Sequence, residues 1–302
     1  MASPVHDRRC VEGIVAPPTG TGGDPPVPAR DWSVLPLDAL ASIFVKLGAI
    51  KILMGPGLVC RSWLQAAMLP ELWRSVDMAW HRAVDAERVD VLRAMAKVAV
   101  DRSGGRLEVF KGRRFVTDEL LHYIGERSPA LKTVGLFSCR GVSNQGFAQL
   151  IARCPLLEDL HLAFCHRIGG RDVYEAIGRA CPRLKRFRLG TRMIESLLAS
   201  CSDRPGEALG VAAMHELRTL ALVGSAVTND ELASVLDGCP RLESLDLRDC
   251  FNIVADDALR ARCAGIKSLV LPPLRREVDD EDEHETYSYR ASDFGFATDC
   301  EM

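Results

Sequence analysis

A three-residue apolar register recurs through most of this chain. Leu131, Val134 and Leu136 return as Leu157, Leu160, Leu162; Leu184, Phe187, Leu189; Leu217, Leu220, Leu222; Leu242, Leu245, Leu247; and Ile266, Leu269, Leu271. A fainter copy precedes them at Leu107 and Phe110. Successive starts fall 24, 26, 27, 33, 25 and 24 residues apart. That period fits a short strand plus a helix, a unit that buries its apolar face only by stacking on neighbours of the same kind. The chain therefore folds as an array, and arrays of this sort present a binding surface.

The helices between the strands repeat as well. Phe147, Leu150, Ile151 and Cys154 match Leu232, Val235, Leu236 and Cys239 at i, i+3, i+4 and i+7. Eleven cysteines invite a metal or disulfide reading, but no pair has C-x-x-C spacing. Repeat position accounts for most of them. Cys154, Cys181, Cys239 and Cys263 each stand three residues before a register start, and Cys139, Cys165 and Cys250 eight residues after one. Recurrent slots of that kind suit small buried thiols, so neither metal nor cofactor is expected.

With 302 residues, 47% of them apolar, and a net charge of -3, nothing pulls the chain as a whole toward nucleic acid or membrane. No apolar run approaches the roughly 18 residues that span a bilayer, and the Pro- and Gly-rich start has no signal-peptide core. A soluble protein of the nucleus or cytoplasm is expected.

Residues 1–30 read as a disordered lead and residues 275–302 as an acidic disordered tail, with a carboxylate run from Asp279 to Glu285. From Trp32 onward the pattern is helical. Leu40, Ile43, Phe44 and Leu47 form one stripe behind Pro36, a short helix comes next over 49–54, Gly55-Pro56-Gly57 ends it, and another helix runs from about Leu58 to Ala67. A stripe of Val91, Leu92, Met95, Ala96 and Val98 predicts a helix over 85–101 that joins this front module to the array and caps its end. The 33-residue spacing after Leu184 holds a loop insertion around Ser202–Gly206.

Leu35-Pro36-Leu37-Asp38, then Ile43-Phe44 and Leu47, then Val59-Cys60-Arg61-Ser62-Trp63, then Pro70-Glu71-Leu72-Trp73 stand in the order and spacing of an F-box. The front module resembles that family, and box and array together resemble the F-box/leucine-rich-repeat proteins, most of all the small plant members. The resemblance implies an α+β chain: a small α-helical F-box over 31–76, a helical linker over 77–103, and about seven leucine-rich repeats over 104–274 forming an α/β solenoid, with short parallel strands on the concave face and helices outside. It also implies a role. The box docks a Skp-type adaptor that links to cullin and RING subunits of an SCF ubiquitin ligase, and the repeats hold a protein substrate for ubiquitination and degradation. By motif position Leu35, Pro36, Leu40, Ile43, Leu47, Val59, Cys60 and Trp63 are carried over as adaptor-facing or box-core residues. The Gly-Pro-Gly break departs from the continuous helix of many members and is expected to loosen the second half of the box.

Side chains alternate along a strand, so residues two, four and six positions after each register start line the concave face. Lys111, Arg113, Thr133, Phe137, Asp159, His161, Arg186, Arg188, Thr219, Val223, Asp246 and Arg248 make this set. Its arginines suit an acidic or phosphorylated peptide, or else only solubilise an open sheet face. Phe137 and Phe164 are candidate aromatic hot spots. No nucleophile–base pair, metal-ligand spacing or phosphate loop is present, so no catalytic residue is assigned. A non-ligase scaffold with a degenerate box is the alternative, and a nucleic-acid binder ranks last because Asp159 and Asp246 interrupt the cations.

Overall fold

The computed structural model describes residues 32–86, 88–191 and 206–272. The lead over 1–30, most of the insertion at 202–206 and the tail over 275–302 lie outside them. The front module holds α1 (Leu37–Leu47), α2 (Ala49–Met54) and α3 (Arg61–Ala67). Pro36 opens α1, its carbonyl accepting from Leu40 N at 3.0 Å. Gly55-Pro56-Gly57 separates α2 from α3 by a hydrogen-bonded turn. Leu58 N donates to Gly55 O at 2.9 Å and Val59 N to Pro56 O at 3.3 Å, forming a 3-10 turn at Pro56–Leu58 with Pro56 buried. Helix α3 consequently begins at Arg61, later than the sequence pattern suggests.

Eight described strands form one parallel sheet in chain order: β1 (Ser75–Asp77), β2 (Val109–Arg113), β3 (Thr133–Phe137), β4 (Asp159–Ala163), β5 (Arg186–Gly190), β6 (Thr219–Val223), β7 (Ser244–Asp246) and β8 (Ser268–Val270). Consecutive strands in sequence are neighbours in space, as stacking of one repeated unit requires. The crossovers carry α4 (Ala83–Ala86) and α5 (Val89–Arg102) after β1, then α6 (Asp118–Arg127), α7 (Asn144–Ile151), α8 (Arg171–Ala180), α9 (Asn229–Gly238) and α10 (Asp257–Arg262). Thr117, Ser143, Thr228 and Asp256 cap α6, α7, α9 and α10 by accepting a backbone N–H three residues on. Between β5 and β6 the described crossover element is a 3-10 segment, Ala208–Ala213, in place of a helix.

Strand β1 corrects the expected boundaries. Residues 77–103 are not a linker outside the array: α5 is the crossover helix from β1 to β2, and the line drawn at 76/77 runs through a strand. Val76 pairs with Phe110, and Arg74 O accepts from Glu108 N and Val109 N in the way that Glu108 O accepts from the next repeat. Trp73, Val76 and Met78, all buried, are thus an eighth copy of the register, 34 residues before Leu107. Every register residue from Leu107 to Leu247 is buried, in one apolar cluster that runs from Leu40 in the box to Cys263. At the far edge Ile266, Leu269 and Leu271 are only partly covered.

Two further ladders hold the stack. The residues one place after each register start are all charged, alternating in sign except at the successive cations Lys185 and Arg218, and give Arg74–Glu108 at 2.5 Å, Lys132–Glu108 at 3.4 Å, Lys185–Glu158 at 2.9 Å, Arg218–Glu243 at 2.8 Å and Lys267–Glu243 at 2.9 Å. The pairs are partly exposed and contribute little stability each. The recurrent cysteines form the other ladder. Cys165 Sγ donates to Leu136 O at 3.4 Å and Cys250 Sγ to Leu222 O at 2.6 Å, each reaching the preceding repeat; Cys181 and Cys239 reach Cys154 O and Met214 O at 3.5 Å. Burial pushes the Cys154, Cys181, Cys239 and Cys250 thiols up to about 12, which keeps them protonated and able to donate. Five strands, β2, β3, β4, β6 and β7, turn at the residue seven places after their register start: Arg114, Ser138, Phe164, Gly224 and Asp249 all have positive φ.

Helices α8 and α9 approach the 3-10 segment at backbone contact. A Cβ on Gly178 would lie 2.5 Å from Ala213 O, and one on Gly238 would meet Ala212 O and lie 2.7 Å from Ala212 Cβ. Gly238→Ala should therefore cost about 1–3 kcal/mol through overpacking, although alanine favours a helix by about 1 kcal/mol. Urea unfolding reads the sign, and a stabilised variant would contradict the close approach.

Candidate functional site

Two surfaces carry the candidate residues. On the box, α1 and α3 pack through an edge-to-face contact of Phe44 and Trp63 with ring centroids 5.5 Å apart. The segment Trp32–Val34 is tied to α3, with Trp63 Nε1 donating to Trp32 O at 3.0 Å and Ser62 Oγ to Ser33 O at 2.9 Å. Leu40 is completely buried with Phe44 and belongs to the core, so it is not adaptor-facing. Leu35, Leu47 and Trp63 are half-buried against that core, and Cys60 is half-buried with its Sγ 3.1 Å from Ser62 Oγ. Pro36, Ile43 and Val59 are exposed.

Beside those three stand exposed apolar residues that were not among the carried-over set: Trp32, Val34, Leu37, Val45, Met54, Leu58, Leu64 and Met68. Ten of the seventeen exposed large apolar side chains among the described residues fall within residues 32–68. The turn at Pro56–Leu58 holds Leu58 84% and Val59 61% exposed, and Leu64 and Met68 stand one helical turn apart beyond it. The opposite side of the box is already covered, because α2 and the segment Pro70–Trp73 pack against β1 and α5. The exposed set is not needed to close the protein's own core. An apolar concentration of this kind marks an interaction surface.

The second surface is the concave face of the sheet. Here Phe137 is only 2% exposed and is not an open hot spot. Trp80, from the turn after β1, lies over it with centroids 4.9 Å apart, and His161 meets its other side at 4.8 Å. Ala79 and Ala163 complete this small cluster, and Phe164 packs against it from the left-handed turn, half-buried. Trp80 instead supplies the exposed aromatic, with the Arg113 guanidinium 5.6 Å from its ring centroid. Val223 is also buried.

The concave cations are paired within the chain. Lys111 lies 3.0 Å from Asp77, Arg113 and Arg114 bind Asp85 at 3.3 and 3.0 Å, and Arg248 grips Asp246 at 2.7 Å. Arg186 Nε donates to Asp159 Oδ2 at 2.8 Å while Arg188 lies 3.8 Å from the same oxygen. The face is therefore a set of braced ion pairs.

His161 sits beneath this layer in its neutral form. Burial, then the Arg188 and Lys111 cations, push its pKa down to about 3. The unfolded chain binds the proton near pH 6.5, so the folded state loses stability as pH falls from there toward 3. Between pH 7 and 5 this residue alone should remove on the order of 2 kcal/mol. Urea unfolding at the two pH values should show that loss in the wild type and its absence in His161→Gln; equal pH dependence would contradict the assignment.

The F-box-like family model matches residues 32–79, which reaches through β1. Among curated relatives, F-box/LRR-repeat protein 22 of Arabidopsis thaliana is 32% identical over 300 residues, covering 92% of this chain and 94% of its own. This chain belongs to the F-box/leucine-rich-repeat protein family. The Arabidopsis F-box protein SKIP19 is 34% identical, with 81% of this chain and 78% of that protein covered. F-box/LRR-repeat protein 23 from the same plant is 38% identical over 80% of this chain, which spans 54% of that relative's length. Among solved structures, yeast Rad7 with Elc1 aligns at TM-score 0.37 and 12% identity, covering 76% of this chain and 58% of that one. The leucine-rich-repeat protein LegL7 of Legionella pneumophila aligns at TM-score 0.36 and 15% identity, over 61% and 70%. In this family member the parallel strands, register and box are all visible in the chain's own structure.

Proposed function

We propose that this F-box/leucine-rich-repeat protein is the substrate-recognition subunit of an SCF-type cullin–RING ubiquitin ligase. The box binds a Skp-type adaptor and through it the cullin and RING subunits, and the repeats hold a protein substrate for ubiquitination and degradation. One observation carries this reading: exposed apolar side chains are concentrated within the box, over residues 32–68, while α2 and the segment Pro70–Trp73 pack on the array. The role asks for no chemistry from the chain itself, only two surfaces held in fixed relation by a shared core.

The adaptor step is tested by co-elution of the purified full chain with a Skp-type adaptor, followed by addition of cullin and RING. A stable complex that gains cullin and RING only when the adaptor is present is the expected result. No complex with a folded chain would favour a leucine-rich-repeat scaffold whose box binds nothing. The ordered hydrogen-bonded turn at Gly55–Leu58 does not favour that alternative.

A further inference from the structure

On the concave face between β4 and β7 the carboxylates lie low and the guanidiniums lie outermost. Asp159 is 12% exposed in its side chain beneath Arg186 at 43% and Arg188 at 26%, and Asp246 is 20% exposed beneath Arg248 at 43%. Two arginines share Asp159, whose Oδ1 is buried without a hydrogen-bond partner, so at Asp159 itself two guanidiniums lie over one carboxylate and are the more exposed groups. The C-terminal residues supply the opposite sign. Residues 273–302, outside the described ones, hold ten carboxylates against three arginines, which leaves residues 1–272 at +4 within a chain of net charge -3.

The tether is long enough to bring the two together. Asp279 stands seven residues beyond Pro272 and can reach about 24 Å from it. Three strand spacings separate β8 from β5, about 14 Å. We infer that the acidic run Asp279–Glu285 docks on the concave face of its own chain over β5–β7, against Arg186, Arg188 and Arg248, as an internal competitor for the repeat surface. Guanidinium–carboxylate pairs supply the recognition, and tethering supplies an effective concentration on the order of millimolar. A substrate reaches the face only by displacing the run. The inference rests on the part of the proposed function that makes this face a binding surface; adaptor binding by the same samples reads the other part separately.

The test uses a labelled peptide with the sequence of residues 277–289 and follows its anisotropy. It is titrated into the full chain and into a full chain carrying Asp279→Asn, Asp280→Asn, Glu281→Gln, Asp282→Asn, Glu283→Gln and Glu285→Gln. The neutralised chain should bind the peptide about tenfold more tightly than the wild type, whose own run occupies the face. Adding Asp159→Asn, Arg186→Gln and Arg188→Gln together, which leaves no buried unpaired charge, should remove that binding, and circular dichroism checks that each sample is folded. Sedimentation should show the wild type monomeric. Equal affinity in the two chains, no binding by the neutralised chain, binding that survives the triple change, or a tail-dependent dimer would each overturn the inference.

Discussion

Trp73→Ala should lower the unfolding free energy by about 3–5 kcal/mol, a large share of the roughly 5–15 kcal/mol that holds a domain together. The indole is completely buried, its Nε1 donates to Ala67 O at 3.0 Å across the end of α3, and the Arg102 guanidinium of α5 lies 5.2 Å from its ring. It serves two modules at once. In the box it closes the Pro-x-Leu-Trp end, and in the array it is the first register residue, one place before the Arg74 carbonyl on which β2 begins to pair. Alanine would leave a cavity and an unsatisfied Ala67 carbonyl where the two modules share their core. Urea unfolding followed by far-ultraviolet circular dichroism measures the loss. Trp63→Ala, at a half-buried position, should cost visibly less, and equal costs would contradict the shared-core account.

The second large effect concerns binding without stability. Leu58→Asp together with Val59→Asp should weaken adaptor binding by about 100-fold or more, because charge placed at the centre of an apolar interface removes hot-spot contacts and adds a desolvation cost. Both side chains are largely in solvent in the unbound protein, so unfolding should shift by less than about 0.5 kcal/mol. Leu40→Ala is the opposite case: it should destabilise the box by about 2–5 kcal/mol while touching no adaptor. Calorimetric titration of each variant beside its unfolding curve separates the two. Unchanged affinity in the Leu58/Val59 variant would place the adaptor elsewhere.

Much of the fold could be read from the chain because one residue class, Leu, recurs at a fixed offset and its cysteines recur at two others. The eighth copy escaped because Trp73 and Met78 stand where leucine stands in other repeats, and because the box motif already accounted for Trp73. The charged residues one place after each start, from Glu108 to Lys267, stood within the register already legible in the sequence, and only Arg74 waited for β1. The concave face was legible by alternation, yet burial was not: Trp80 reaches Phe137 from the turn after β1, a strand that the leucine pattern had not revealed. On the box, a motif says which positions are apolar but not which side they face. Leu40 went inward while Leu58, Val59, Leu64 and Met68 went outward, and helix α3 had to be placed against α1 before that division appeared.

The central claim is that the exposed apolar residues of the box form a docking surface separate from the repeats. Hydrogen exchange on the full chain, with and without a Skp-type adaptor, tests it most directly. The account predicts new protection confined to residues 32–68, strongest over α1, the Pro56–Leu58 turn and α3, with β2 to β8 unchanged. Protection along the strands in place of the box, or none at all at saturating adaptor, would contradict it.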